Sequence, residues 1–160
     1  SVIFNSAALM INPRIPLWKR LMSKALAVCL PHAKVAKLKT ADMMSSLPEE
    51  VRNFNADELI YHGKIEAATG SALIHANHWV EKNMVDYPLP FLVLQGDEDD
   101  LVNPDGPLLL MDKSLAIEKQ FKLYRGSRHD LLHDLSADQV VSDVCTWLKS
   151  RFEKQAHPAL

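Results

Sequence analysis

Pro90-Phe91-Leu92-Val93-Leu94-Gln95-Gly96-Asp97-Glu98-Asp99-Asp100 is the stretch whose reading decides the fold. Four apolar residues run without a break between a proline and a glycine, and the chain then opens into carboxylates. A short continuous apolar run with such punctuation reads as a strand buried on both faces, as in a parallel sheet. The same grammar returns in Phe121-Lys122-Leu123-Tyr124, a short strand that spills into Gly126 and then His129. Between them, Pro107 to Lys119 has the length and apolar content of a crossover helix. Strand, helix and strand with short joints make a βαβ unit, whose strands run parallel. Asp99 and His129 then fall just past the carboxyl ends of neighbouring strands, the edge where open α/β sheets carry their sites.

An acid and a histidine brought to one edge suit nucleophile activation. A histidine acting as general base needs its second ring nitrogen held by an acceptor, which fixes the tautomer and stabilises the imidazolium. Four acids crowd the first loop, Asp97, Glu98, Asp99 and Asp100, and a solvated turn accounts for three of them. On register alone Asp97 competes with Asp99. His129 likewise competes with His133, four residues on; a histidine at a strand exit after glycine suits the base, and His133 suits loop support.

The combination Leu94-Gln95-Gly96-x-x-Asp99 with Leu123-Tyr124-x-Gly126-x-x-His129-x-x-x-His133 resembles the acid and histidine loops of monoglyceride lipases and related lysophospholipases, which are α/β-hydrolases. The likeness runs over nearly the whole chain. Val2-Ile3-Phe4-Asn5-Ser6 followed by Asn12-Pro13 resembles that family's sixth strand and its exit into a helical cap. Asp57-Glu58-Leu59-Ile60-Tyr61-His62-Gly63 is similar to an Asp-Pro-Leu segment of the cap, with Glu58 in place of proline. Ser142-Asp143 and Trp147-Leu148 stand where the family's last helix carries the same residues. The resemblance implies Asp99 as the triad acid and His129 as its base. It also implies hydrolysis of monoacylglycerols or lysophospholipids through an acyl-enzyme, without a cofactor.

The nucleophile of that pattern is missing. Such a serine sits in a Gly-x-Ser-x-Gly elbow, where glycines allow a sharp strand-to-helix turn. The five glycines, at 63, 70, 96, 106 and 126, include no two four residues apart. The expectation is therefore the C-terminal half of a serine hydrolase, holding acid, base and cap, inactive without an N-terminal half that brings the nucleophile and the oxyanion hole. A start on Ser1 and strand-like sequence from Val2 agree with that reading.

Composition sets the bounds. One domain is expected from 160 residues, long enough to bury a core. A net charge of −2 argues against a nucleic-acid binder, which is usually strongly basic. Cys29 and Cys145 form no metal or redox spacing and fit a reducing, cytoplasmic compartment. No apolar run approaches the ~18 residues of a membrane span.

Elsewhere the chain reads as follows. Leu17 to Leu30 is the clearest helix: Lys19, Arg20, Ser23 and Lys24 share one side, and Leu17, Trp18, Leu21, Met22, Ala25, Leu26, Val28 and Cys29 fill the other. Its apolar side either packs on the body of the protein or touches lipid as a lid, a peripheral membrane contact. Residues 31–56 read as irregular with a helical turn at Pro48, and Asp57 to about Lys82 as mostly helical, broken at Gly63 and Gly70. His75, His78 and Glu81 recur every three residues, a weak metal signal outweighed by a solvated surface. Ser136-x-x-Gln139 reads as a capping box. After it, Val141, Val144, Cys145, Leu148 and Phe152 form a stripe expected on the sheet, and Gln155 to Leu160 a frayed tail.

The fold expected is α/β, three parallel strands with flanking helices and a cap at 14–86, the sheet core being 1–13 plus 87–160. Two rival functions stand beside the ester hydrolase. One is a non-catalytic binding or scaffold module of the same fold, and the other is a same-fold peptidase or phenolic esterase.

Overall fold

The computed structural model describes residues 1–10, 16–37 and 40–156 of the chain. Three parallel strands form its sheet: β1 (Val2–Asn5), β4 (Phe91–Gly96) and β5 (Lys119–Tyr124), in the order β1-β4-β5. Between β1 and β4 come α1 (Leu17–Cys29), β2 (Lys34–Ala36), α2 (Ala41–Met44), α3 (Pro48–Ala56), β3 (Ile65–Glu66) and α4 (Ala67–Asn83). Helix α5 (Asp105–Lys113) makes the crossover from β4 to β5, and α6 (Ala137–Ala156) closes the chain.

All six residues of β4 are buried, which is why its sequence is apolar without alternation. Its side chains nevertheless divide between two layers, because successive residues of a strand point to opposite faces. Phe91 and Val93 pack with Leu9, Met84, Leu110 and Ala116, joined by Phe4, Tyr87 and Phe121. The rings of Phe4, Tyr87 and Phe91 meet edge to face, with centroids 5.7–5.9 Å apart. Leu92 and Leu94 pack on the other face with Tyr124, Leu131, Val140 and Trp147. At ~1.5–3 kcal/mol per fully buried large apolar side chain, β4 anchors both layers.

The register aligns the carboxyl ends. Asn5 lies opposite Leu94, and Gly96 opposite Tyr124, so the loops after β4 and β5 leave the sheet side by side. Gly96 makes this close approach possible. A Cβ there would collide with the backbone carbonyl oxygens of Ser127 and Arg128. Gly126 turns the β5 loop at φ 73°, in the left-handed region that glycine enters without penalty.

Several boundaries differ from those read in the sequence. Helix α5 is shorter than its expected span: Asn103 accepts the Asp105 amide at its start, and Ser114 ends it by donating to the Tyr87 carbonyl. Residues 31–56 are more ordered than expected. They carry β2, α2 and a nine-residue α3, which starts on Pro48 at a position where proline needs no amide partner, with Glu49 and Glu50 facing the helix dipole. Residues 57–64 are turns rather than helix, and Gly70 lies inside α4 without breaking it. His75 and His78 are exposed on α4, and no group of three or more metal-ligating side chains exists among the described residues. Asn12-Pro13, the expected boundary at 13/14, and residues 157–160 of the expected tail lie outside the described residues; Gln155 and Ala156 belong to α6.

Helix α6 presents Val140, Val144 and Trp147 to the sheet, one step from the predicted stripe. Of that stripe, Val141, Leu148 and Phe152 are exposed. Arg151 takes a place in the packed face, its guanidinium 4.6 Å over the Trp147 ring and paired with Glu118. The capping box does not form: Ser136 accepts from the Ser127 hydroxyl, and the Gln139 amide turns to Asp143.

Candidate active site

The loops after β4 and β5 interlock before either presents a side chain. The Asp97 amide donates to the Tyr124 carbonyl at 3.1 Å, and the Glu98 amide to the Ser127 carbonyl at 3.0 Å. In return the Gly126 amide donates to Asp97 Oδ1 at 2.6 Å. Asp97 lies exposed in its turn, as expected, and also braces the two loops.

Of the four contiguous acids only Asp99 is buried. Its Oδ1 accepts from the backbone amides of Leu101 (2.9 Å) and Val102 (3.3 Å), a local turn of the kind aspartate favours. Its Oδ2 accepts from Gln95 Nε2 at 3.0 Å and faces His129 Nδ1 at 3.0 Å. Burial opposes the carboxylate charge. The bond to His129, the attraction between the two groups and the two amides outweigh it, so the carboxyl is held below its ordinary value of 3.8. A buried anion satisfied by four donors is a fixed reference point for the ring that faces it.

His129 keeps one ring nitrogen on Asp99 while the side chain remains 22% exposed. With Nδ1 donating, Nε2 is left as an acceptor, which is the arrangement a general base requires. His133 does not compete for Asp99; its Nδ1 pairs with Asp130 Oδ2 at 3.0 Å on the surface. The structure therefore brings Asp99 and His129 together and leaves Asp97 and His133 to the loops.

Sequence reasoning missed three groups around the site, of which Gln95 bonds the pair directly. Gln95 holds Asp99 from the strand itself, and a polar residue closing an apolar run signals as much. Ser6 ends β1 at the same edge with φ 44°, the one non-glycine in the left-handed region among the described residues, and its buried hydroxyl has no partner there. Such strain collects near functional sites. Asp134, buried beneath the histidine loop, carries no local signature that distinguishes it from other acids.

Helix α1 packs along α4, yet Leu17, Trp18, Leu21, Met22 and Val28 remain exposed. No helix among the described residues is long and apolar enough to cross a membrane. Cys29 and Cys145 are free and exposed.

The chain is similar to known proteins in sequence and in fold. The sequence pattern of the family described as serine aminopeptidase, S33, matches residues 1–136. The monoglyceride lipase of Rattus norvegicus is 33% identical over 135 residues, covering 83% of this chain and 44% of that protein. The monoacylglycerol lipase of Mycolicibacterium smegmatis is 31% identical over 129 residues, covering 81% of this chain and 46% of that protein. The crystal structure of Paleococcus ferrophilus monoacylglycerol lipase matches 93% of this chain and 58% of its own, with a TM-score of 0.84 at 21% identity, a likeness of fold. The chain spans less than half the length of the two curated relatives. With its parallel sheet, flanking helices and family match, the chain belongs to the serine aminopeptidase S33 family and is a monoglyceride lipase-like α/β-hydrolase.

Proposed function

We propose that this chain supplies the acid and base of a carboxylic ester hydrolase acting on monoacylglycerols or lysophospholipids. The observation that carries the reading is the 3.0 Å contact between His129 Nδ1 and a fully buried Asp99 carboxylate at the carboxyl edge of the sheet. A scaffold has no use for a buried carboxylate tied to a partly exposed histidine. The nucleophile comes from residues outside these 160, since no Gly-x-Ser-x-Gly occurs in them. Of the described residues, those within 14–86 are read as the cap over the acyl group, and those within 1–13 and 87–160 as the sheet core.

The chemistry divides into two halves. His129 Nε2 takes the serine proton as the serine oxygen bonds to the ester carbonyl carbon, and the carbonyl becomes an oxyanion. Collapse of that intermediate breaks the bond to the alcohol, which leaves with the proton from Nε2. A water then gives a proton to Nε2 as it attacks the acyl-enzyme, and the fatty acid departs as the serine recovers its proton. Asp99 holds the tautomer throughout and stabilises the imidazolium in each half. Helix α1, with Trp18 and Met22 exposed, supports peripheral contact with lipid.

The test is labelling with a fluorophosphonate, which reacts only with activated serines. Residues 1–160 alone stay unlabelled, because one lost oxyanion donor costs ~10²–10³ in rate and here nucleophile and hole are both outside the chain. Supplied with an upstream half bearing the elbow, labelling appears on that half. A labelled serine within residues 1–160 overturns the proposal.

A further inference from the structure

We propose that Asp134 is a positioning residue that couples the segment between β1 and β4 to His129. The inference rests on the reading of His129 as the general base. Asp134 is 2% exposed, and both carboxylate oxygens are engaged. Oδ1 accepts from the Ser46 amide at 2.9 Å, the Leu135 amide at 2.9 Å and the Ser45 hydroxyl at 3.4 Å. Oδ2 accepts from the Arg128 amide at 2.6 Å. One carboxylate thereby clamps the residue before the histidine to a segment more than 80 positions away in sequence.

The surrounding contacts run the same way. The single Ser45 hydroxyl proton points chiefly at the His133 carbonyl, 2.7 Å away, the 3.4 Å contact with Asp134 being the long arm of a shared bond. Ser46 Oγ donates to the Gly126 carbonyl at 3.0 Å. Arg128 sends its guanidinium to the carbonyls of Asp42 and Ser45. The amide of His129 itself donates to the Met43 carbonyl at 3.4 Å, and the Asp130 amide to Met44 at 2.8 Å. So the ring of His129 is held by the sheet, through Asp99, while its backbone is held by the joint between α2 and α3. A shift of that joint moves the histidine backbone against a fixed carboxylate. Asp134 is the group that opposes such a shift, because its bonds are charge-assisted, buried and shared by both segments.

The closing experiment compares wild type with Asp134→Asn and Ser45→Ala, expressed with all of the sequence the protein is encoded with. Asparagine must set an NH₂ against either the Arg128 amide or the amides of Ser46 and Leu135, so the clamp opens on one side. The expected result is a fall in kcat of ~10² on a short soluble ester with KM little changed, as for a misplacement of about 1 Å. In the same samples, still folded by thermal melting, the NMR signal of the His129 Nδ1 proton broadens or disappears. Ser45→Ala keeps the carboxylate, serves if Asp134→Asn fails to fold, and shows a loss of about five- to tenfold, the factor one hydrogen bond is worth. A loss that tracks only the unfolded fraction, with the His129 proton unchanged, overturns the positioning role, as does unaltered kcat in both variants. Absence of esterase activity in wild type would instead sink the functional reading, and the proton signal would still decide the role of Asp134.

Discussion

Replacing Asp99 by asparagine tests the site most directly, because the structure dictates which way the amide must face. Both carboxylate oxygens receive two donors. On the Oδ1 side these are the backbone amides of Leu101 and Val102, which cannot turn away. An NH₂ placed there leaves two buried N–H groups unsatisfied, at ~1–3 kcal/mol each. On the Oδ2 side both partners can adapt. The Gln95 carbonyl oxygen has no partner among the described residues, so rotating that amide presents an acceptor. His129 can move its proton from Nδ1 to Nε2. The asparagine therefore keeps its oxygen on the amides and presents NH₂ to the histidine.

That choice disables the base, since an Nε2 carrying the proton cannot accept one from a nucleophile. The loss expected in kcat is ~10⁴, or about 5.5 kcal/mol of barrier, the scale seen when the same change is made in a well-studied triad. Thermal stability falls modestly, by ~1–3 kcal/mol, because the rotated Gln95 Nε2 gives up the Gly96 carbonyl for a position where Oε1 has no partner. The assay is hydrolysis of a short soluble ester by the protein together with the upstream half proposed to bear the nucleophile, alongside ¹⁵N shifts of His129 to read the tautomer. Asp97→Asn is the control: its remaining oxygen still accepts from Gly126, so kcat stays within a few-fold. Activity of Asp99→Asn within tenfold of wild type, or a larger loss in Asp97→Asn, would refute the reasoning.

Three other perturbations follow from the same geometry. Gly96→Ala drives a Cβ into the backbone of Ser127 and Arg128, neither of which can rotate away; overpacking of about 3 kcal/mol lowers Tm by roughly 6–12 °C, and an unchanged melt would show that the loops are not in contact. Asp143, bonded to Tyr124 and Lys122, is held below its ordinary 3.8 although burial works against it. A depressed carboxyl contributes stability above 3.8 that disappears as pH falls through its lower folded value, so wild type loses Tm below about pH 4 and Asp143→Asn loses less; parallel acid limbs would contradict this. Trp18→Ser with Met22→Ser, both more than half exposed, reduces co-sedimentation with phospholipid vesicles and slows long-chain esters more than short ones; an equal loss on both substrates would count against lipid contact.

What could be read from the sequence was whatever a few consecutive residues determine. An apolar run closed by glycine and acids can be little else than a buried parallel strand, and two such runs around a helix put their loops on one edge. The acid–histidine pair was legible for that reason. Choosing among four acids needed the family pattern, because burial of Asp99 depends on amides that are donors only once the loop has turned. The packed face of α6 was misread because Arg151 lies in it. A sequence reading sends arginine outward, whereas here the aromatic face of Trp147 and the carboxylate of Glu118 accept it. The capping box failed because Ser127 is fully buried and its hydroxyl needs a partner, which Ser136 supplies.

Asp134 was illegible for a different reason, and it explains why the histidine loop could be found but its support could not. Its donors come from residues 45, 46, 128 and 135, so no window of sequence contains them. A buried carboxylate without those donors would be costly enough to unfold the loop. With them it makes the position of His129 depend on the segment between β1 and β4, although the ring itself is held from the sheet. Chemistry at the sheet edge and the placement of that segment are thus tied by one side chain. A shift in the joint between α2 and α3 must either carry the histidine with it or leave a buried carboxylate short of partners.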